Sequence, residues 1–204
     1  MTHDVTSAEQ LEAIYGQPGE RAIWKELSYL NEDYQAFVRV CPFVILASVG
    51  EQGTDCSPKG DAAGFVQILD DKTLAIPDRP GNNRIDNLRN IVADPRVSVL
   101  FLTPGIGETL RVNGRARISV DPDLLSRFEV AGKLPRTVIV VSIDAVYFHC
   151  AKAIVRSRLW DPASQIPRES LPSTGAMHRR LSGGHFDADT YDRDLVKNTL
   201  AGLY

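Results

Sequence analysis

The sequence predicts a mainly β protein, an antiparallel barrel with peripheral helices, and three features carry that prediction. Short apolar runs recur between turn-forming residues, most of them lie close enough for hairpins, and few helical stretches separate them. A doubly wound parallel sheet would need a helix after nearly every strand, and this chain does not supply them. Its 204 residues suffice for one sizeable domain. The expected organisation is an N-terminal helical segment packing on the barrel (1–41), the barrel itself (42–162) and a C-terminal extension (163–204).

Thr6 and Glu9, three apart before Leu11 and Ile14, form a capping-box pattern for a short helix that Gly16 ends. A second helix is expected from about Asn31 to Arg39, with Tyr34, Phe37 and Val38 on one face. Phe43–Val49 reads as a strand bounded by Pro42 and Gly50, the turn Gly50–Thr54 follows, and Asp55–Asp61 returns. Pro58 confines that returning strand to an edge or a bulge. Phe65–Leu69 and Thr73–Ile76, linked by Asp70-Asp71-Lys72, make another hairpin.

Arg84–Ala93 carries Ile85, Leu88, Ile91 and Val92 at helical spacing until Asp94-Pro95 stops it. Val97–Leu102 is a buried strand. The clearest alternation follows, with Leu110, Val112, Gly114, Ala116, Ile118 and Val120 on one side and Arg111, Asn113, Arg115, Arg117 and Ser119 on the other. A short helix over Asp121–Phe128 precedes the strand Thr137–Phe148. After Trp160 the chain becomes polar and rich in Pro, Ser and Gly, and reads as a loosely structured tail with a helix near Tyr191–Leu200.

Net charge restricts the partners. Nucleic-acid binders draw affinity from a basic surplus, whereas the formal net charge here is -3, which leaves room only for a local arginine cluster aimed at a small anion. The longest apolar runs, Pro42–Val49 and Val138–Ile143, fall far short of a membrane span. The N-terminus lacks the basic start and apolar core of a secretory signal. No nucleic acid, no membrane and a cytoplasmic location are therefore expected. Cys41, Cys56 and Cys150 are odd in number and far apart, as suits free thiols in a reducing compartment.

The densest constellation of polar residues is Ile76-Pro-Asp-Arg-Pro-Gly-Asn-Asn-Arg-Ile-Asp. A strand ends there, a Pro/Gly loop follows, and a helix is expected to begin at about Arg84. A helix N-terminus presents unpaired N–H groups and positive partial charge, which suit a phosphate. Arg79 and Arg84 would add charge-assisted hydrogen bonds, Asn82 or Asn83 amide donors, and Gly81 room for close approach. A helix start capped by Asn83, with solvated arginines, explains the same residues. The second cluster, Asp55-Cys-Ser-Pro-Lys-Gly-Asp, reads either as a bulged edge strand or as exposed backbone and Lys59 beside a planar polar ligand.

Taken in order, these clusters resemble the split barrels that bind flavin mononucleotide (FMN) and are related to pyridoxamine 5'-phosphate oxidase. The likeness runs from about Phe43 to Pro162. It rests on Ser57-Pro-Lys-Gly-Asp61, the segment Ile76–Asn87, Asp94-Pro-Arg-Val-Ser-Val-Leu-Phe101, Leu110-Arg-Val-Asn-Gly-Arg-Ala116, and Cys150-Ala-Lys through Arg158-Leu-Trp-Asp161. As a set the motifs look like the family's bacterial flavin-dependent branch. The resemblance implies an antiparallel split barrel, a homodimer with FMN at its interface, and oxidoreduction of a small-molecule substrate through the flavin. It assigns the phosphate to Arg79, Asn82, Asn83 and Arg84, and the ring system to Ser57, Lys59, Gly60 and Asp61 with Pro77 nearby. Lys152, Arg156 and Trp160 would come from the opposite subunit.

Two departures matter. True pyridoxamine phosphate oxidases carry an adjacent basic pair in the phosphate loop, whereas Arg84 is followed by Ile85; and their C-terminal Arg-Leu-x-Pro signature has only an echo in Arg158-Leu-Trp-Asp-Pro162. Flavin binding without turnover, or the same fold around a deazaflavin, heme or another tetrapyrrole, stay open as alternatives. No catalytic side chain and no metal site are assigned. His149 and Cys150 are adjacent on a strand and so face opposite ways, with no third ligand at suitable spacing. Pro104-Gly-Ile-Gly-Glu reads as a hairpin turn, and Arg111, Arg115 and Arg117 as a solvated or interfacial face.

Overall fold

Seven strands pair antiparallel in a single sheet in the computed structural model of the protein, which describes residues 3–51 and 53–204. The strands are β1 (Phe43–Gly50), β2 (Gly53–Gly60), β3 (Gln67–Asp70), β4 (Thr73–Asp78), β5 (Arg96–Phe101), β6 (Thr109–Ser119) and β7 (Thr137–His149). Their order across the sheet is β2-β1-β5-β6-β7-β4-β3. The sheet does not close, so β2 and β3 are its edges and the architecture is a split barrel with helices around it. Pro58 lies in edge strand β2, where a missing N–H costs no ladder bond to a further strand. Gln52 of the expected turn, like Met1 and Thr2, falls outside the described residues.

Alternation explains which face each strand buries. Val44 and Leu46 of β1, Val99 and Phe101 of β5, and Leu110 and Val112 of β6 join one core with Ile139 and Val141 of β7. Val138 and Val140 point the other way and meet a second cluster, with Ala75 of β4 and Phe128. Both faces of β7 are thus covered near its start, which is why Val138–Val141 is an uninterrupted apolar run. A bulge at Asn113/Gly114 bends β6 against β7, and any Cβ at Gly114 would overlap the Ser142 carbonyl.

The helices are α1 (Ala8–Tyr15), α2 (Glu20–Trp24), α3 (Glu32–Val40), α4 (Asp86–Ala93), α5 (Pro122–Ser126), α6 (Lys152–Ser157), α7 (Thr174–Leu181) and α8 (Ala188–Ala201). The capping box shifts by one residue from the expectation. Ser7, not Thr6, caps α1, and Gln10 reaches back to the Thr6 N–H. Asn31 caps α3 through the Tyr34 N–H, and Leu30, Tyr34 and Val38 enter the core. By contrast α1 and α2 bury no residue.

α4 packs on β1 through a buried polar contact in which the Asn87 and Asn90 amides both donate to Ser48 Oγ, at 2.7 and 3.1 Å. The expected helix start at Arg84 moves to Asp86, because Asn83 (φ 59°) and Ile85 (φ 54°) both adopt the left-handed conformation. The tail is also more regular than its composition suggested. α7 and α8 pack on each other with Asp192 accepting from Ser173 Oγ and the Gly175 N–H, beside a cluster of His178, Phe186 and Tyr191.

Candidate functional site

β2 and β4 are far apart in the sheet order, yet their ends meet. Lys59 Nζ lies 2.7 Å from Asp78 Oδ1, and Arg79 Nε lies 2.6 Å from Asp61 Oδ2, so two ion pairs bridge the split that the open sheet leaves. Next to this bridge is a cavity of about 710 Å³ walled by the end of β2, the end of β4, the loop into α4 and the start of β7. That volume falls within the range of small-molecule sites.

Eight of the expected residues line the cavity: Ser57, Lys59 and Gly60 on one wall, and Pro77, Arg79, Asn82, Asn83 and Arg84 on the other. Asp61 sits behind them, with a side chain only 3% exposed. The two loop arginines have different surroundings. Arg79 is committed to the protein: its Nε donates to Asp61, its Nη1 to the Phe128 carbonyl at 2.9 Å, and its guanidinium lies 5.1 Å from the Tyr204 ring centroid. Arg84 is 74% exposed and pairs only with Asp86, at 2.8 Å, on the surface. Surface pairs of this kind hold weakly, so Arg84 is free to turn to a ligand. Asn82 Oδ1 accepts from the Arg84 N–H, which leaves the Asn82 amide donors uncommitted.

The loop is strained where it enters α4. A β-branched residue in the left-handed region is a genuine outlier, costing roughly 1–2 kcal/mol, and Ile85 occupies it at the N-cap position with no side-chain cap bond. The opening N–H groups of α4 therefore receive no side-chain acceptor from their cap, an arrangement open to an anion.

Sequence reasoning missed three contributors. Arg136 and Thr137, at the start of β7, line the cavity because the β4–β7 register sets Thr137 opposite Asp78. Thr137 Oγ1 is buried and has no hydrogen-bond partner among the described residues. Tyr204 arrives from beyond α8, and its hydroxyl donates to Asp61 Oδ1 at 2.6 Å. Burial pushes the Asp61 carboxyl up, but hydrogen bonds from Tyr204, the Ala62 N–H and Arg79, with the charge of that guanidinium, outweigh it and hold the carboxyl below its ordinary value. The Tyr204 hydroxyl is raised in turn, because its proton is bonded to Asp61. The only sequence signal for Arg136 was its place before the strongest apolar strand; for Tyr204 there was none.

Other expected residues lie elsewhere. Lys152 and Arg156 line a separate cavity of about 390 Å³ with Ala151 and Val155, and the Trp160 indole donates to the Ile106 carbonyl at 2.8 Å. Arg111 stacks over Tyr147 with its guanidinium carbon 4.4 Å from the ring centroid, while Arg115 and Arg117 are exposed. Burial, aided by the charges of Arg111 and Lys25, pushes the His149 imidazole below its ordinary value. Among the described residues no group of three His, Cys, Asp or Glu side chains is placed to hold a metal, and no helix is long and apolar enough to cross a membrane.

No curated protein matches this sequence. Solved structures similar to the chain include HupZ of Group A Streptococcus, at 17% identity and TM-score 0.47, covering 57% of this chain and 91% of that one. General stress protein 26 of Bacillus anthracis matches at 17% identity and TM-score 0.42, covering 56% and 88%. A structure named F420 reductase matches at 20% identity and TM-score 0.41, covering 59% and 98%. The sequence pattern of the family described as Pyridoxamine 5'-phosphate oxidase matches residues 30–150, more than half of the chain, and the protein therefore belongs to that family.

Proposed function

We propose that the protein binds FMN in the cavity between β2, β4 and the loop into α4, and acts as an FMN-dependent oxidoreductase on a small-molecule substrate. The observation that carries this reading is the convergence of Ser57–Gly60 and Pro77–Arg84 on one 710 Å³ cavity, although the sheet order separates their strands. The donor set suits a phosphate-bearing planar ligand. Arg84, Asn82 and the uncapped start of α4 gather at one wall, and a buried, unpartnered Thr137 hydroxyl stands at the same cavity. At the other wall Lys59 is fixed by Asp78, so its ammonium stays beside the space expected for the ring.

Bound flavin supplies the hydride or electron transfer through its own ring system. The chain's residues bind and orient it. Lys59–Asp78 and Arg84–Asp86 occupy the lining carboxylates in ion pairs, which favours chemistry carried by the cofactor over a protein acid or base. A homodimer with the cofactor at its interface fits the large apolar side chains on the outside, among them Ile14 (63% exposed) and Trp24 (68% exposed). Lys152, Arg156 and Trp160 would then act from the opposite subunit.

The test is direct. Purified protein should carry or take up FMN, with a yellow absorbance and a raised melting temperature, and sedimentation should give a dimer. Colourless protein that neither binds titrated FMN nor gains thermal stability from it overturns the reading.

A further inference from the structure

We propose that Arg136 is the second cation of an anion subsite in this cavity, acting with Arg84 to hold a phosphate monoester. The inference deepens the flavin reading by naming the group that grips the phosphate, and it rests on that reading only for the identity of the ligand.

Charge pairing singles the residue out. Four cations line the cavity, and three are matched: Lys59 by Asp78, Arg79 by Asp61 and Arg84 by Asp86. Among the described residues Arg136 has no carboxylate within ion-pair distance. Its one side-chain hydrogen bond runs from Nη1 to Asn83 Oδ1 at 3.2 Å, which points the guanidinium at the loop. A guanidinium carries five donors in a planar fork that matches two phosphate oxygens, so most of that capacity is unspent.

A second observation points to the same place. Thr137 Oγ1 is buried without a partner, and unpartnered buried hydroxyls are uncommon because they forgo hydration without replacing it. Strand alternation would send neighbouring side chains to opposite faces. Arg136, however, stands just before β7 begins at Thr137, and both residues line the cavity. An oxyanion between Arg136 and the Asn83–Arg84 loop would take the guanidinium fork and lie beside the hydroxyl. A phosphate monoester has three terminal oxygens for Arg84, Arg136 and the amide or hydroxyl donors, whereas a carboxylate has only two.

The placement also explains a departure in the sequence. Related oxidases are expected to carry an adjacent basic pair in the phosphate loop, and here the position after Arg84 is Ile85 in a left-handed conformation. The second cation is then supplied beside the loop by the residue just before β7, rather than by the residue after Arg84.

The experiment compares wild type with Arg136→Gln and Arg136→Lys for binding of FMN, of riboflavin, which lacks the phosphate, and of inorganic phosphate. Arg136→Gln should weaken FMN about 10- to 100-fold, the usual worth of a charge-assisted hydrogen bond, leave riboflavin unchanged and abolish phosphate binding. Arg136→Lys should fall between, because it keeps the charge and loses the fork. Wild-type FMN affinity in Arg136→Gln overturns the proposal, as does an equal loss of riboflavin, which would make Arg136 a wall of the cavity. If wild type binds neither flavin, the flavin reading fails alone, and phosphate decides this one. Phosphate bound by wild type and lost in Arg136→Gln upholds it, and phosphate bound equally or not at all overturns it.

Discussion

The two arginines of the loop after β4 differ by five positions in sequence and by almost everything in environment. Arg79 is 15% exposed and locked to a nearly buried Asp61, whereas Arg84 is 74% exposed and touches only a surface aspartate. The difference teaches that a cation beside a ligand cavity has two separate uses. One arginine closes the split between β2 and β4, where low dielectric strengthens its pairing and makes its loss expensive. The other is held so weakly that a ligand can claim it. A basic cluster that looks uniform as a string divides into a structural half and an exposed, weakly held half.

Breaking the structural half should have the largest effect. Asp61→Ala leaves the largely covered Arg79 without its carboxylate, with only the Phe128 carbonyl still accepting from it, and should cost up to about 3–5 kcal/mol, lowering the melting temperature by roughly 6–20 °C for a chain of this size. A loss below about 1 kcal/mol in urea denaturation would show that the pair does not close the split.

Acid attacks the same pair. The Asp61 carboxyl is held below its ordinary value, so its contribution is complete above about pH 4 and disappears as pH falls through the lowered value. His149, also lowered, acts higher. Below about pH 6.5 the unfolded chain takes up its proton first, and stability begins to fall there. Denaturation curves against pH should show both declines, and Asp61→Asn should remove only the more acidic one.

Tyr204→Phe keeps the ring over Arg79 and deletes the hydroxyl bonded to Asp61, for an expected loss of about 1 kcal/mol, with the Asp61 carboxyl moving upward in carbon-detected titration. Ile85→Gly should stabilise by somewhat less than about 1 kcal/mol, since the relief of left-handed strain exceeds the entropy cost of glycine. Smallest of all on stability is Arg84→Ala, which should leave the melting temperature unchanged and, if the proposed flavin site holds, weaken FMN binding. Unchanged FMN affinity in that variant would erase the distinction between the two arginines.

Much of the fold was legible because it follows from local rules. The alternation from Leu110 to Ala116, the punctuation by Pro42, Gly50 and Asp94-Pro95, and the edge position implied by Pro58 each correspond to an observed strand or boundary, whereas at the end of β6 the expected faces are exchanged, with Ser119 buried and Val120 exposed beyond the strand. Errors fell where local rules compete. Ser7 and Thr6 are both good caps, and packing at α1 does not choose between them, since the helix buries nothing. Arg84 and Ile85 fit helical spacing, but Asn83 and Ile85 turn left-handed and delay α4 to Asp86. The polar, Pro- and Gly-rich tail forms α7 and α8 because Gly175 and Ala188, both buried, let the two helices approach closely.

By itself the sequence determined the strands, their alternation and the two segments, Ser57–Asp61 and Pro77–Arg84, from which most of the cavity is built. These depend on spacing between near neighbours, and spacing is written in the chain. Only the tertiary structure decided which charges are spent. The pairing of Arg79 with Asp61, the arrival of Tyr204 and the lack, among the described residues, of a carboxylate for Arg136 depend on β2, β4 and β7 meeting at one end of a curled sheet. Whether a charge is matched is a matter of ångströms between residues distant in sequence, and no local pattern encodes it.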